Sequence, residues 1–264
     1  MSVFNAEIYL KETISSVLNQ SFKNFEFIIV NDGSTDNSLN VINSFNDDRI
    51  VVINQSNQGL SKALNNGIKK SKLNYIARID SDDVAEKKRF EIQLDFLLKN
   101  PDYIVVGSFA NNIDSNGDYL FSQKMDMENN DLKNKFPNNP FIHPSIIFSK
   151  DAFYKAGEYC ESMGGYAEDM ILYNRMSKFG KFYNIPKYLI NYRLLPNSLT
   201  LRGKTLDAKF IKILKKAIID NNVSNDDVNY LQELKSEGSE KNNLSNYYLV
   251  IAKNLLWNSY NPNL

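Results

Sequence analysis

A cluster of three carboxylates within four residues is the first feature of this 264-residue chain that could do chemistry. Asp80, Asp82 and Asp83 directly follow the apolar run 75–79, which is typical of a buried strand. Carboxylates this close raise one another's pKa unless a cation lies between them. Because Mg²⁺ and Mn²⁺ prefer oxygen ligands and keep positions open for phosphate, the cluster indicates a metal site that bridges a diphosphate. The alternative is a solvated acidic turn that caps the next helix.

A further carboxylate, Asp32, follows the apolar run 25–30 and begins the turn of residues 32–36. Gly33 permits the turn, and one of the three residues after it caps the following helix. Asp32 precedes that cap, so its carboxylate could accept hydrogen bonds from a base or a ribose. Ligands of open α/β sheets bind beyond the carboxyl ends of the strands, which is where Asp32 and the 80–83 cluster are predicted to lie.

Two other positions are candidates for binding or proton transfer. Glu168 and Asp169 open a predicted helix over residues 168–179, where the plain interpretation is an acidic first turn that interacts with the helix dipole. His143 is the only histidine and precedes Pro144 in a predicted apolar strand. Such a residue is usually structural, although a sole histidine also suits a ligand or a proton donor. One cysteine and one histidine exclude the usual zinc patterns.

The elements that must position these residues alternate along the chain. Strand-like apolar runs occupy residues 25–30, 50–53, 75–79 and 103–106, and helical periodicity occupies 7–19, 59–70 and 90–98. This alternation predicts an α/β fold with a Rossmann-like, mostly parallel sheet flanked by helices. Beyond residue 108 the rhythm changes to a hairpin turn at 114–117 and further strands at 141–148 and 188–195.

Composition limits the partners and the compartment. Basic and acidic side chains balance at 31 each, so no overall basic field for nucleic acid exists. A single cysteine fits a reducing compartment, and no apolar run approaches the roughly 18 residues that cross a bilayer. The beginning of the sequence does not resemble a signal peptide. We therefore expect a cytoplasmic protein.

The last sixty or so residues differ in pattern, and we predict a boundary between a domain of residues 1–204 and a helical C-terminal extension of residues 205–264. Helix 206–219 carries an apolar stripe flanked by four lysines, and a last helix over 245–257 ends in Leu255, Leu256 and Trp257. Either the stripe packs on the first domain, or the extension makes a peripheral contact with the inner face of the cell membrane, its lysines near anionic headgroups.

The order of the motifs resembles the family 2 glycosyltransferases of the GT-A fold, especially bacterial enzymes that build surface polysaccharides. The stretches that carry the resemblance are Phe4-Asn5-Ala6-Glu7, residues 9–10, 16–21, 25–36 and 57–65, Ala77-Arg78-Ile79-Asp80-Ser81-Asp82-Asp83, Tyr166-Ala167-Glu168-Asp169, Tyr192-Arg193 and Ser198. The resemblance covers residues 2–200 and leaves out the extension.

The resemblance implies roles for individual residues. The residues implied for binding the nucleotide sugar are Phe4, Asn5, Glu7, Asp32, Lys62, Arg78, Asp80 and Ser81. Among them, Asp32 would contact uracil or ribose. Asp82 would bind Mn²⁺ or Mg²⁺ as part of a DXD motif, and Asp169 would be the general base. His143 and Glu168 are candidate contacts of the acceptor or the donor sugar.

The implied reaction is one in-line displacement that inverts the anomeric centre. A nucleoside diphosphate leaves readily only when its charge is neutralised, which a metal at Asp82 would supply as a Lewis acid. The acceptor hydroxyl must lose its proton to a carboxylate on the opposite face, the role implied for Asp169. The partners would be a UDP-linked sugar donor and a saccharide or lipid-linked saccharide acceptor.

The N-terminus departs from the family pattern, and this keeps alternatives open. Only Met1-Ser2-Val3 precede Phe4, where an apolar strand is expected. A reduced first strand would expose sheet edges and weaken the nucleotide pocket. A degenerate subunit that binds a nucleotide sugar without turnover is therefore one alternative, although Asp82 and Asp169 are retained. A sugar nucleotidyltransferase is less favoured, because the glycine-rich basic loop expected for a triphosphate is not present.

Overall fold

A computed structural model of the chain describes residues 1–163, 165, 167–196, 208–236 and 240–260. The strands are β1 Ser2–Val3, β2 Phe27–Asp32, β3 Ile50–Gln55, β4 Tyr75–Ala77, β5 Val84–Ala85, β6 Tyr103–Ile113, β7 Tyr119–Gln123, β8 Ile147–Ser149 and β9 Lys181–Arg193. The helices are α1 Leu10–Leu18, α2 Ser38–Asn43, α3 Leu60–Lys70, α4 Arg89–Lys99, α5 Asn129–Lys133, α6 Lys150–Lys155, α7 Glu168–Met176, α8 Ala208–Asp220, α9 Asn225–Ser236 and α10 Glu240–Tyr260.

The strands form two sheets. The first has the order β1-β2-β3 and is parallel throughout. The second has the order β4-β8-β6-β9-β5, with β7 paired to β6, and only its β6–β9 pair is parallel. The predicted α/β fold is confirmed, and the second sheet is mixed. One reason is the short hairpin turn after β6, because a connection this short can join antiparallel strands only.

The strand predicted over residues 141–148 is correct only at its end. Residues His143–Ser145 form a 3₁₀ helix, and the strand β8 begins at Ile147. Pro144 explains the difference, because proline has no backbone N–H for a strand ladder and its fixed φ suits a turn. His143 therefore lies on a turn between two buried segments and not in a strand.

The first strand of the parallel sheet is short. Ser2 and Val3 pair with β2, and the amino group of Met1 donates to the carbonyl of Ile28 at 2.9 Å. Beside it, a cavity of about 370 Å³ lies between the two sheets. Its walls are mostly apolar side chains of β2, β4, α3 and α4.

The apolar stripe of α8 is buried. Phe210, Ile213, Leu214 and Ala217 pack in one hydrophobic cluster with Met170 and Ile171 of α7. The interpretation in which this stripe packs on the rest of the protein is confirmed. The predicted boundary at 204/205 lies outside the described residues, as do the side chains of Leu255, Leu256 and Trp257. No helix in the described part of the chain is long and apolar enough to cross a membrane.

Candidate active site

Asp32 organises the loop that leads into α3. Its carboxylate accepts hydrogen bonds from the Gln55 side chain at 2.7 Å and from the backbone N–H groups of Gln58 and Gly59, both at 2.9 Å. Only 2% of the residue is exposed. Asp32 thus ends β2 as predicted, and in this structure its oxygens hold residues 55–59 against the carboxyl edge of the sheet.

The opening loop lies against the turn that follows Asp32. The side chain of Asn5 accepts a hydrogen bond from the backbone of Thr35 at 2.8 Å, and the Glu7 carboxylate accepts one from the backbone of Asn37 at 2.7 Å. Phe4, between β1 and this contact, is about half exposed. The structure therefore brings Phe4, Asn5 and Glu7 to the same edge of the sheet as Asp32.

The 80–83 turn contains carboxyl groups with raised pKa values. Arg78, which is buried, forms an ion pair with Asp80. Burial, and next the charge of Asp80, raise the pKa of Asp82 to about 6. Burial also raises the pKa of Asp83 well above its usual range, although Asp83 accepts a hydrogen bond from the backbone of Arg193 at 2.8 Å. The crowding of carboxylates expected from the sequence is thus present.

The turn offers part of a metal coordination sphere and not a complete one. In the described residues no group of three or more His, Cys, Asp or Glu side chains is placed to hold a metal ion. Mg²⁺-type sites, however, commonly use one or two carboxylates, with water and substrate phosphates as the other ligands. Asp82, whose charge is unfavourable beside Asp80, fits such a site. Ser81 is held in the turn through its carbonyl, which accepts a hydrogen bond from the Thr13 hydroxyl at 3.0 Å.

Lys62, in the first turn of α3, forms an ion pair. Its ammonium group pairs with the carboxylate of Glu161 at 3.0 Å, and the Asn65 side chain donates to the same carboxylate. The structure therefore places Lys62 in an ion pair with the segment before α7.

Asp169 lies in the first turn of α7, as predicted. One carboxylate oxygen accepts a hydrogen bond from the backbone of Met170 at 2.7 Å, and the other accepts one from the side chain of Asn139. About 15% of the Asp169 side chain remains exposed. Glu168 beside it is buried. Of the two acidic residues, Asp169 is thus the more accessible to an acceptor.

His143 bridges two buried tyrosines. Its Nδ1 lies 2.7 Å from the hydroxyl of Tyr173, and its Nε2 lies 3.2 Å from the hydroxyl of Tyr159. Burial, and next the charge of Arg78, lower the pKa of His143 well below its usual range. The nearest carboxylate oxygen of Asp169 is 3.8 Å from Nδ1. The arrangement favours the structural interpretation of this histidine, as a neutral imidazole that braces the residues around Asp169.

Charges of the 80–83 turn and of the start of α7 both act on Tyr159. Burial raises the pKa of Tyr159 well above its usual range. The charged groups that also act on it are those of Arg78, Glu168, Asp169 and Asp80. Groups that are about ninety residues apart in the sequence therefore influence one side chain.

Sequence reasoning missed two side chains of this site. Asn139 contacts Asp169, and Arg193, noted only as part of a matching segment, contacts the 80–83 turn. Neither residue has a sequence spacing from its partner that is typical of a known motif. For Arg193, the available signal was a basic residue at the end of a buried strand. Two other residues of the matching segments, Tyr166 and Ser198, lie outside the described part of the chain.

Comparisons with known sequences match the chain to one protein family. The profile of the family described as "Glycosyl transferase family 2" matches residues 1–157. The O-antigen biosynthesis glycosyltransferase WbnJ of Escherichia coli is 33% identical over 201 residues, which cover 74% of this chain and 78% of that protein. An uncharacterised glycosyltransferase of Haemophilus influenzae is 32% identical over 211 residues, covering 74% of this chain and 64% of that protein.

A solved structure shares the fold. Residues 1–349 of Staphylococcus aureus TarS, crystallised in complex with UDP-GlcNAc, superpose with a TM-score of 0.64 at 16% identity. The superposition covers 83% of this chain and 64% of that one. This chain thus spans less than two thirds of the Haemophilus influenzae protein and of this TarS fragment.

Proposed function

Because the chain belongs to glycosyl transferase family 2, we propose that it transfers a sugar from a UDP-linked donor to an acceptor hydroxyl with inversion at the anomeric carbon. One observation carries the proposal: the charges of Asp80, in the same turn as Asp82, and of Asp169, at the start of α7, both act on the buried side chain of Tyr159. His143, which contacts the Tyr159 hydroxyl, also lies 3.8 Å from Asp169. A leaving-group site and a base on opposite sides of one sugar are what a single displacement requires.

The donor would bind along the carboxyl edge of the parallel sheet. TarS has been crystallised with UDP-GlcNAc, which supports a UDP-linked donor for a chain with the same fold. Asp32, Asn5 and Glu7 lie at the edge where the base and ribose would bind, although each now holds a neighbouring loop. These contacts make the pocket rigid before the donor arrives, which reduces the ordering cost of binding.

The diphosphate would lie at the 80–83 turn. Asp82, with Asp80 beside it, would hold Mn²⁺ or Mg²⁺, and the bound ion would neutralise the leaving diphosphate. Arg78 is paired with Asp80 and so balances that carboxylate, which leaves the charge of Asp82 for the ion. A cation there would also offset the burial and the repulsion from Asp80 that raise the pKa of Asp82.

Asp169 would remove the proton of the acceptor hydroxyl. The hydrogen bonds from Met170 and Asn139 fix both of its oxygens, so the carboxylate is oriented before the acceptor binds. The proposed mechanism uses no second carboxylate as a nucleophile, since Glu168 is buried beside Asp169 and the carboxylates of the 80–83 turn are given to the metal. One base and one displacement give inversion, whereas retention through a covalent intermediate needs a second carboxylate.

The acceptor would be a saccharide or a lipid-linked saccharide of a bacterial surface polysaccharide. The relatives WbnJ and AmsE are named for O-antigen and amylovoran biosynthesis, and AmsE of Erwinia amylovora is 29% identical over 201 residues. This supports the acceptor class and leaves the linkage to experiment.

The test is donor-dependent nucleotide release. The chain is incubated with a panel of UDP- and GDP-linked sugars and saccharide acceptors, with Mn²⁺ or with excess chelator, and released nucleotide is measured together with the anomeric configuration of the product. We expect UDP release that chelator abolishes and a product of inverted configuration. Thermal stabilisation by a UDP-sugar with no release on any acceptor would instead identify a binding subunit, and a retained configuration would refute the mechanism.

A further inference from the structure

Arg193 ends the strand β9 in the middle of the second sheet. Its neighbour on one side is Ile113 at the end of β6, and β5, which directly follows the 80–83 turn, lies on the other. Only 1% of the Arg193 side chain is exposed. A charged side chain at this depth must use its donors on partners nearby, because an unpaired buried charge is costly.

The guanidinium of Arg193 joins three segments that are distant in sequence. Its Nε donates to the carbonyl of Asp82 at 2.8 Å, its Nη1 to the carbonyl of Asp114 at 2.9 Å, and its Nη2 to the carboxylate of Glu12 at 2.6 Å. The ring of Tyr9 lies 4.4 Å from the guanidinium carbon. One side chain thus connects the α1 region, the 80–83 turn and the hairpin turn after β6.

We propose that Arg193 is a positioning residue that sets the affinity of the Asp82 turn for a divalent cation and a nucleoside diphosphate, an inference that rests on the proposed function. The bond from Nε fixes the backbone carbonyl of Asp82 itself. The backbone N–H of Arg193 donates to the side-chain carboxylate of Asp83. On the other side of Asp82, the Thr13 hydroxyl holds the backbone carbonyl of Ser81. Because the peptide groups before and after Asp82 are both held, the Asp82 carboxylate points in one direction before the cation binds.

The planar fork of arginine is necessary for this role. The N–H groups of the guanidinium point in fixed directions and reach the three partners at once, whereas a lysine ammonium is a single compact group on a flexible stem. Glu12 balances the charge but is more than half exposed, so its contribution is screened by water. The two backbone carbonyls, of Asp82 and Asp114, therefore contribute most, and the pair with Glu12 contributes less.

Arg49 offers a matched control within the same chain. It too donates to a backbone carbonyl, that of Leu18, pairs with a carboxylate, Asp47, and lies over an aromatic ring, Phe25. None of these partners belongs to the proposed site. Replacing each arginine by lysine removes the same kinds of contact at two places.

The experiment titrates Mn²⁺ into the full chain with saturating UDP, by calorimetry, and measures thermal unfolding of the same samples. We expect Arg193→Lys to raise the Mn²⁺ dissociation constant at least about tenfold, because that is the effect of losing one charged hydrogen bond. Arg49→Lys should leave that constant unchanged even if it melts at a lower temperature. Should Arg193→Lys fail to fold, Glu12→Gln takes its place, with an expected increase of about threefold because the pair is exposed.

The outcomes separate this inference from the proposed function. If the wild-type chain shows no Mn²⁺-dependent UDP binding, the proposed function fails and the inference with it. If the wild type binds and Arg193→Lys binds as tightly, the inference alone is overturned. An equal loss in Arg49→Lys would also overturn it, because the effect would then be general destabilisation.

Discussion

At the start of α7, two hydrogen bonds orient the carboxylate of Asp169, one from the backbone of Met170 and one from the side chain of Asn139. About 15% of the side chain remains exposed. Removing the charge while keeping the shape should therefore affect the transition state and not the bound donor.

We expect Asp169→Asn to keep the affinity for UDP and to lower kcat by about 10²- to 10⁴-fold, the range for loss of a general base. UDP binding and turnover are measured on the same preparation. Glu168→Gln serves as the neighbouring variant. An inactive Glu168→Gln together with a fully active Asp169→Asn would show that the base is misassigned.

Asp82→Asn should abolish transfer and weaken Mn²⁺-assisted UDP binding, because the amide lacks the charge that balances the ion. Transfer and UDP binding are compared with and without Mn²⁺. Asp151→Asn, on the exposed surface of α6, is the control for loss of one carboxylate. Full activity of Asp82→Asn, or of the wild type in excess chelator, would rule this role out.

His143 should remain neutral well below pH 6.5, because burial and Arg78 lower its pKa. The folded protein then binds fewer protons here than the unfolded chain, so the stability contribution of His143 falls as pH drops below about 6.5. Because the chain has one histidine, its imidazole signals in ¹H–¹⁵N spectra show the protonation state of His143 directly. Titration of those signals with a midpoint near 6.5 would contradict the prediction.

At the scale of elements, α8 supports α7, the helix that begins with Glu168 and Asp169. Arg175 in the last turn of α7 donates to carbonyls near the end of α8, including that of Ile218 at 3.0 Å. The buried stripe of α8 also packs against Met170 and Ile171 of α7. The extension is therefore a structural brace at α8, and its lysines lie on the solvent side.

Leu214→Ala should lower the free energy of unfolding by about 2–5 kcal/mol, since the side chain is fully buried. Turnover should fall more than UDP affinity, because α7 carries Asp169. Chemical denaturation and kinetics check both. Ile219→Ala, at a position that is 80% exposed, is the control and should change neither. Equal effects of the two variants would show that α8 does not brace α7.

At the scale of the whole molecule, residues of both sheets line an apolar cavity. Met1 is among the lining residues, and burial, then Arg78, lower the pKa of its amino group to about 5. That amino group donates to the carbonyl of Ile28 in β2. An extended segment placed there would fill the cavity and extend β1.

We expect an extension of about five apolar residues ahead of Met1 to raise the melting temperature, as it would continue the ladder beyond Ser2 and bury apolar surface. A glycine–serine extension of equal length is the control. Activity should rise with stability, because the parallel sheet carries Asp32. Equal melting and turnover of the extended and present forms would refute this.

The sequence by itself determined the fold class and the order of the candidate residues. Apolar runs that end in Asp32 and in Asp80-Ser81-Asp82-Asp83 predicted strands with polar ends, because short-range periodicity and turn chemistry are local. The same periodicity predicted α8 and its stripe. It could not predict the turn at His143–Ser145 correctly, since an apolar run around Pro144 suits either a strand or a buried turn.

Only the tertiary structure decided which side chains support the site. The contact between Arg193 and Asp82 joins residues 111 positions apart, and that between Asn139 and Asp169 joins residues 30 apart. The tertiary structure also decided that the α8 stripe is covered by α7. Periodicity shows which face of an element is apolar, but the partner of that face depends on how distant segments pack, which no local pattern encodes.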